Sequence, residues 1–202
     1  MQILNDANDI SQNLLPFDGV VHYWGKIFTQ TQADSYLNSL QELIAWQQDE
    51  TVIFGRRIVT QRKVAWYGDE PFHYRYSNTT KIALPWTSVL QTLKSKVEKV
   101  TGESFNSCLL NLYHSGNEGM GWHSDDEPDL KKEGAIASLS FGAERKFVFK
   151  HKNIPQKVEI FLEHGSLLVM KGLTQIFWKH RLPPSKRVLQ PRINLTFRTI
   201  VN

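Results

Sequence analysis

His123-Ser124-Asp125 and the later His180 are residues of the types that ligate a divalent metal. In an extended segment, residues two apart point to the same side, so His123 and Asp125 can converge on one ion. His180 closes the apolar run Gln175-Ile-Phe-Trp-Lys-His180, where a third ligand from a neighbouring strand would stand. Two imidazoles and one carboxylate on one face of an iron(II) ion leave three positions open for a cosubstrate and dioxygen. The other histidines, at 22, 73, 114, 151 and 164, are poorer candidates. His151 sits in a basic cluster and His164 precedes Gly165 in an expected turn, and neither has a carboxylate two residues away.

A second group with chemistry is the segment Arg192-Ile-Asn194-Leu-Thr196-Phe-Arg198. As a strand it turns Arg192, Asn194, Thr196 and Arg198 one way and Ile193, Leu195 and Phe197 the other. Two inward arginines on one strand need anionic partners, because a buried charge must be paired. A small bound dicarboxylate would supply both.

The elements that must position these residues follow from periodicity. Thr31 to Gln48 reads as an amphipathic helix, with Tyr36, Leu37, Leu40, Leu43 and Ile44 at helical spacing and a Thr29/Gln32 capping box. Pro85 to Val100 reads as a second helix, with Pro85 in its first turn and Gly102 ending it. From Ser107 onward the pattern becomes short β-type runs: 108–113, 135–141, 146–151, 158–162, 166–170, 176–180 and 192–200. Gly, Pro and Asn clusters separate them, including 116–121. Many short strands predict a mainly β fold with flanking helices, here a double-stranded β-helix or jelly roll, the helices covering one outer face. The segment at about 51–80, dense in Arg and aromatic residues, is expected to form a recognition lid on the catalytic core at about 107–200.

At 202 residues the chain is expected to form a single domain, residues 1–202. A net charge of +4 permits a polyanionic partner without requiring one. The basic pairs are scattered: Arg56-Arg57, Arg62-Lys63, Arg145-Lys146, Lys150-His-Lys152 and Lys186-Arg187. Cys108 is the only cysteine, which excludes an intrachain disulfide and points to a reducing intracellular compartment, cytoplasmic in a bacterium or nuclear in a eukaryote. It lies in an apolar run and reads as a core residue. No secretory signal or membrane span is expected, and the protein is expected to be a monomer.

Asn111-Leu-Tyr113, His123-Ser-Asp125-Asp-Glu127, Ile136-Ala-Ser-Leu-Ser-Phe-Gly142, Leu162-Glu-His-Gly-Ser166, His180 and Arg192-x-Asn-Leu-Thr-Phe-Arg198 occur in this order. In these motifs the sequence resembles the AlkB family of Fe(II)/2-oxoglutarate dioxygenases, over about Ser107 to Arg198, with weaker similarity upstream. The resemblance implies that iron(II) is held by His123, Asp125 and His180. It implies that Arg192 binds the distal carboxylate of 2-oxoglutarate and that Arg198 acts near its metal-bound end. Asn111, Tyr113, Asn194 and Thr196 would supply hydrogen bonds. The implied reaction consumes 2-oxoglutarate and dioxygen, releases succinate and CO2, and hydroxylates an N-methyl group that then leaves as formaldehyde.

A methyl on a ring nitrogen of adenine or cytosine cannot be reached inside a duplex, so the base must be flipped out. Phe72-His-Tyr74-Arg75-Tyr76-Ser77 offers aromatic and cationic groups to receive it. By resemblance, Tyr76 and His123 would lie on its two faces. N1-methyladenine and N3-methylcytosine are cationic, so a nearby carboxylate favours them, and Asp126 is the one expected from its place beside Asp125. Val52-Ile-Phe54-Gly55-Arg56-Arg57 resembles the aromatic finger of family members that act on duplex DNA, with Phe54 as wedge and the arginines on phosphates. Pro184-Ser-Lys186-Arg187 resembles their basic loop, with Ser185 where a further basic residue would be expected. The expected function is direct reversal of N1-methyladenine and N3-methylcytosine damage in double- and single-stranded DNA. The alternatives are the same chemistry on methylated RNA, or a lesion-binding module without turnover.

Overall fold

The computed structural model describes residues 12–53, 56–76 and 79–201, with side chains described for all of these except 50–58 and 73–81. The elements run β1 (Val20–Lys26), α1 (Gln30–Leu43), β2 (Gln47–Ile53), β3 (Arg56–Gly68), β4 (His73–Tyr76), β5 (Thr79–Ile82), β6 (Leu84–Pro85) and α2 (Ser88–Thr101). They continue with β7 (Ser107–Tyr113), β8 (Met120–His123), β9 (Ile136–Gly142), β10 (Arg145–His151), β11 (Lys157–Leu162) and β12 (Ser166–Lys171). The last are α3 (Thr174–Phe177), β13 (Trp178–Leu182) and β14 (Arg192–Arg198). A major sheet has the order β1-β12-β9-β14-β7-β3-β2, with β6 beside β3, and a minor sheet has the order β11-β10-β13-β8. β4 and β5 form a separate hairpin.

Alternation along the strands builds three layers. Leu139, Leu167, Ile193, Leu195 and Phe197 leave the major sheet on one side and pack with Leu40, Leu90, Leu93 and Val97 of the two helices. On the other side, Ile136, Leu168 and Met170 meet Phe149, Leu162 and Trp178 of the minor sheet. Two sheets with helices on the outer face of one form the jelly roll that the short apolar runs predict. No helix among the described residues is long and apolar enough to cross a membrane.

Several boundaries differ from the periodicity, each for a local reason. The Thr29 capping box forms as expected, but α1 ends at Leu43 rather than Gln48. Ile44 is extended, the Ala45 N–H donates to the Tyr67 hydroxyl at 3.0 Å, and the Trp46 indole donates to the Leu40 carbonyl at 3.1 Å. These bonds satisfy a helix-end carbonyl and turn the chain into β2. Helix α2 begins after Thr87, whose hydroxyl caps Leu90, so Pro85 lies before the helix, in β6 beside Gly68. Gly102, at φ +73, terminates it in the left-handed conformation that favours glycine.

The run 176–180 is not one strand. Its first part belongs to the helical turn α3, and β13 starts at Trp178. The Thr174 hydroxyl, bonded to the backbone of Val20 and Lys171, holds that turn against β1. Strands that escaped the pattern include β1, whose alternation is interrupted by a bulge between Tyr23 and Gly25, the two-residue β6, and β8, which starts inside the glycine-rich 116–121 stretch.

Phe197 has no exposed surface and stacks near Trp86 and Phe105 at ring distances of 6.5 and 6.0 Å. Phe197→Ala is expected to destabilise the protein by about 3–5 kcal/mol, measured as a lowered urea midpoint with unchanged m. A loss below about 1 kcal/mol would contradict this packing.

Candidate active site

A cavity of about 250 Å³ lies between the inner face of the major sheet at β14, β7 and β3 and the strands β8 and β13 of the minor sheet. Strand register sets its polar wall. Along β14, Arg192 faces Tyr113 and Gly142, Asn194 faces Asn111 and Ser140, Thr196 faces Leu109 and Ser138, and Arg198 faces Ser107. All of these except Gly142 and Ser140 line the cavity. Gly142 lies at φ +87, where an added Cβ would collide with the Pro191 carbonyl oxygen, so glycine lets the chain enter β14 at this point.

The wall is internally bonded. Asn194 Oδ1 accepts from Ser138 Oγ at 2.8 Å and from the Arg192 guanidinium at 3.0 Å, and its Nδ2 donates to Thr196 Oγ1 at 2.9 Å. Arg192 also donates to Ser140 Oγ at 2.8 Å and lies over the Tyr113 ring, 5.8 Å from its centroid. Arg192 is 2 % exposed, and no carboxylate forms an ion pair with it among the described residues. Its Nε and the side-chain oxygen of Asn111 are buried without hydrogen-bond partners there. Burial presses the Arg192 pKa down to about 10. A guanidinium this buried and this short of anions fits a ligand carboxylate.

Arg198 lies at the other end of the strand, beside the His-Asp-His group. Its guanidinium reaches Asp125 Oδ1 at 3.3 Å and Glu127 Oε1 at 3.6 Å. Protein carboxylates therefore offset its charge, and a dicarboxylate is not required to do so.

At the opposite wall, β13 pairs with β8 so that His180 stands directly across from His123. The two Nε2 atoms are 3.1 Å apart, and His123 Nε2 lies 3.7 Å from Asp125 Oδ1. All three potential ligand atoms lie within 4.8 Å of one another, the one such group among the described residues. Two imidazole nitrogens at right angles on a metal, each about 2.1 Å away, would be separated by about 3 Å. The observed spacing fits that arrangement. His123 Nδ1 lies 2.9 Å from the Gly121 carbonyl, which holds a proton on Nδ1 and turns the Nε2 lone pair inward.

The electrostatics suit the same role. Burial, reinforced by His123 and Arg198 and opposed by Asp125, pushes the His180 pKa down to about 3, so the ring is neutral. Burial alone would raise the Asp125 pKa, but Arg198, His180 and His123 outweigh it and hold the carboxyl below its usual range. A neutral imidazole and an ionised carboxylate are the ligand forms a metal needs.

Asp126 does not join the site. Its side chain is 64 % exposed, lies 3.9 Å from Lys152 and is absent from the cavity wall. Asp125 and Glu127 line this cavity, whereas Asp126 lines a neighbouring one that both of them also border. Phe54 and Gly55 fall outside the described residues, and for Arg56, Tyr74, Arg75 and Tyr76 only the strand backbone is described. Of the other histidines, His151 is buried and pairs with Asp18 at 3.3 Å. His164 accepts from the Gly142 N–H and contacts Asp34.

Sequence reasoning missed the cavity residues Asp49, Arg62, Trp66 and Glu127. Asp49 and Arg62 form a buried ion pair, and Arg62 also contacts the Met120 sulfur at 3.3 Å. Burial would lower the Arg62 pKa, but Tyr113 and Asp49 raise it. The usable signal was the alternation Arg62, Val64, Trp66, which turns all three toward the cavity along β3.

Comparison with known proteins agrees with this geometry. Residues 19–198 match the family described as the 2OG-Fe(II) oxygenase superfamily. The chain is 42% identical over 179 residues to human alpha-ketoglutarate-dependent dioxygenase alkB homolog 3, a match covering 84% of this chain and 62% of that protein. It thus spans about three fifths of that relative's length. It is 39% identical over 186 residues to the mouse DNA oxidative demethylase ALKBH2, covering 87% of this chain and 78% of that protein. The solved structure of OsALKBH1 superposes with a TM-score of 0.64 at 17% identity, covering 92% of this chain and 98% of that one, a likeness of fold. On these matches the chain belongs to the AlkB family of 2OG-Fe(II) oxygenases, enzymes that use iron(II), 2-oxoglutarate and dioxygen.

Proposed function

We propose that this protein repairs alkylated nucleic acid by oxidative demethylation, acting on N1-methyladenine and N3-methylcytosine in double- and single-stranded DNA. The observation that carries this reading is one cavity with a His-Asp-His cluster at one wall and a buried arginine lacking a carboxylate at the other. The similarity to relatives named as DNA oxidative demethylases supports the substrate class.

In this reading His123, Asp125 and His180 hold iron(II). When bound, the metal with 2-oxoglutarate and dioxygen supplies the oxidant that hydroxylates an N-methyl carbon, 2-oxoglutarate leaving as succinate and CO2. Arg192 binds the distal carboxylate of 2-oxoglutarate, with Asn111 and Tyr113 contributing hydrogen bonds. Asn194 and Thr196 orient Arg192 through the bonded chain along β14. Arg198 keeps Asp125 ionised and in place, and so acts beside the metal. The hydroxymethyl product on the ring nitrogen loses formaldehyde and restores the base. Phe54, Gly55 and Arg56 form the duplex-opening finger in this proposal, and Tyr74, Arg75 and Tyr76 receive the flipped base. Glu127, on the cavity wall, takes the place of Asp126 as the carboxylate facing a cationic lesion.

The deciding assay is release of formaldehyde and succinate with iron(II), 2-oxoglutarate and an N1-methyladenine oligonucleotide, with single-stranded DNA, duplex DNA and RNA in parallel. Formaldehyde from duplex DNA supports the proposal, and formaldehyde from RNA alone would replace DNA by RNA as the substrate. Succinate without formaldehyde from any of them would remove the demethylation reading.

Two substitutions test the site. Asp125→Ala is expected to leave the fold intact by circular dichroism while weakening iron binding by more than the about 100-fold that loss of an outer-shell partner causes. Retained iron stoichiometry and turnover would rule out this triad. Arg192→Met is expected to cost about 2–4 kcal/mol in cosubstrate binding, seen as a KM for 2-oxoglutarate raised about 30-fold or more. An unchanged KM would remove Arg192 from the cosubstrate site.

A further inference from the structure

Strand pairing positions two of the three metal-type residues. His123 and His180 are partners in the β8–β13 ladder, so their spacing follows from register. Asp125 has no such support. β8 ends at His123, and residues 124–127 belong to no strand. Asp125 is nonetheless only 6 % exposed, so its backbone N–H needs a partner other than bulk water. The Gln175 side chain is that partner: its Oε1 accepts from the Asp125 N–H at 2.9 Å.

Gln175 is itself held from both sides. It follows Thr174 in the turn α3, and the Thr174 hydroxyl is bonded to the backbone of Val20 and Lys171. The Lys152 ammonium donates to the Gln175 carbonyl at 2.8 Å, and the Lys152 N–H donates to the Phe177 carbonyl, also at 2.8 Å. One residue before Asp125, the Ser124 hydroxyl donates to the Trp178 carbonyl at 3.0 Å. Ser124 and Asp125 are thus pinned to the segment that leads through α3 into β13 and on to His180. Gln175 borders the neighbouring cavity, with Asp126 and Glu127, and does not line the cavity that contains the His-Asp-His cluster. Its amide therefore bears on the Asp125 carboxylate through the backbone and not by touching a bound ligand. Hydrogen bonds behind a metal ligand fix that ligand's orientation.

We propose that Gln175 is a positioning residue for the metal ligand Asp125, its amide oxygen doing for the 124–127 segment what the β8–β13 ladder does for the two histidines. This rests on His123, Asp125 and His180 as the metal ligands and not on the identity of the substrate. Gln175→Met, of similar length but without an acceptor oxygen, is the test. Losing a partner behind a metal ligand weakens metal affinity by about 10–100-fold. That loss is expected for Mn(II), a redox-stable stand-in for iron(II), measured from the EPR signal of the free ion on folded protein well below its thermal transition. Exchange of the Asp125 amide proton in metal-free protein, followed by NMR, is expected to accelerate in the same variant. Gln175→Glu keeps an oxygen at the same reach and is expected to restore slow exchange.

A merely structural Gln175 would lower the thermal midpoint of Gln175→Met and leave the Mn(II) affinity of the folded variant unchanged, which would overturn the proposal. Equal Asp125 amide exchange in Gln175→Met and the unaltered protein would overturn it too. Should Gln175→Met not fold, Gln175→Asn, whose shorter arm stops short of the Asp125 N–H, takes its place with the same expectations. Asp125→Ala, measured in parallel, separates this inference from the assignment it rests on. Weakened Mn(II) binding in Asp125→Ala but not in Gln175→Met would keep the triad and remove Gln175. Undiminished binding in Asp125→Ala would remove the triad, and the role of Gln175 would fall with it. Weakened binding in both, with slow exchange restored in Gln175→Glu, supports the proposal.

Discussion

The double pairing of β14, to β7 on one side and β9 on the other, is the constraint on which the rest of the molecule depends. One face of the strand, Ile193, Leu195 and Phe197, is fully buried under the helices. A slip of one residue would put Arg192 and Arg198 into that apolar layer and three large hydrophobic side chains into the polar cavity. The helices therefore do more than cover a sheet. By burying one face of β14 they hold the other face, and the cavity wall built on it, in a single register.

The interior carries more positive charge than an apolar core tolerates, and each arginine meets this in its own way. Arg145 donates to the backbone carbonyls of Ser115, Gly116, Glu118 and Pro183 and ties two loops together. Arg62 is offset by Asp49, and Arg198 by Asp125 and Glu127. Arg192 has a hydroxyl and an amide oxygen but no carboxylate among the described residues. A buried cation left short of an anion weakens the fold. Its persistence at the end of a cavity opposite a metal-type cluster joins stability to ligand binding: whatever anion enters also completes the core.

Much of this was legible from residue type and spacing. The alternation of 192–198 marked an inward polar face, and His123 with Asp125 marked one side of an extended segment. The capping box at Thr29 and the left-handed stop at Gly102 are local chemistry and formed as expected. What misled was also physical. The side chains of Trp46 and Tyr67 end α1 early through bonds no periodicity displays. The glycine-rich stretch at 116–121 hid the start of β8, although glycine does not prevent pairing at an edge. Asp126, next in sequence to a candidate ligand, is 64 % exposed and lies off the cavity wall, in a segment past the end of β8 where strand alternation no longer applies.

By itself the sequence determined which residues could do chemistry, that the core would be short strands flanked by helices, and which face of the last strand would be polar. Those properties follow from side-chain type and from periods of two and 3.6 residues, both of which are local. Only the tertiary structure decided that His180 stands 3.1 Å from His123 and that Arg198 is neutralised within the protein while Arg192 is not. These are matters of register and charge balance between segments far apart in the chain. Interactions of that kind depend on distances between groups that come into being only when the strands are paired.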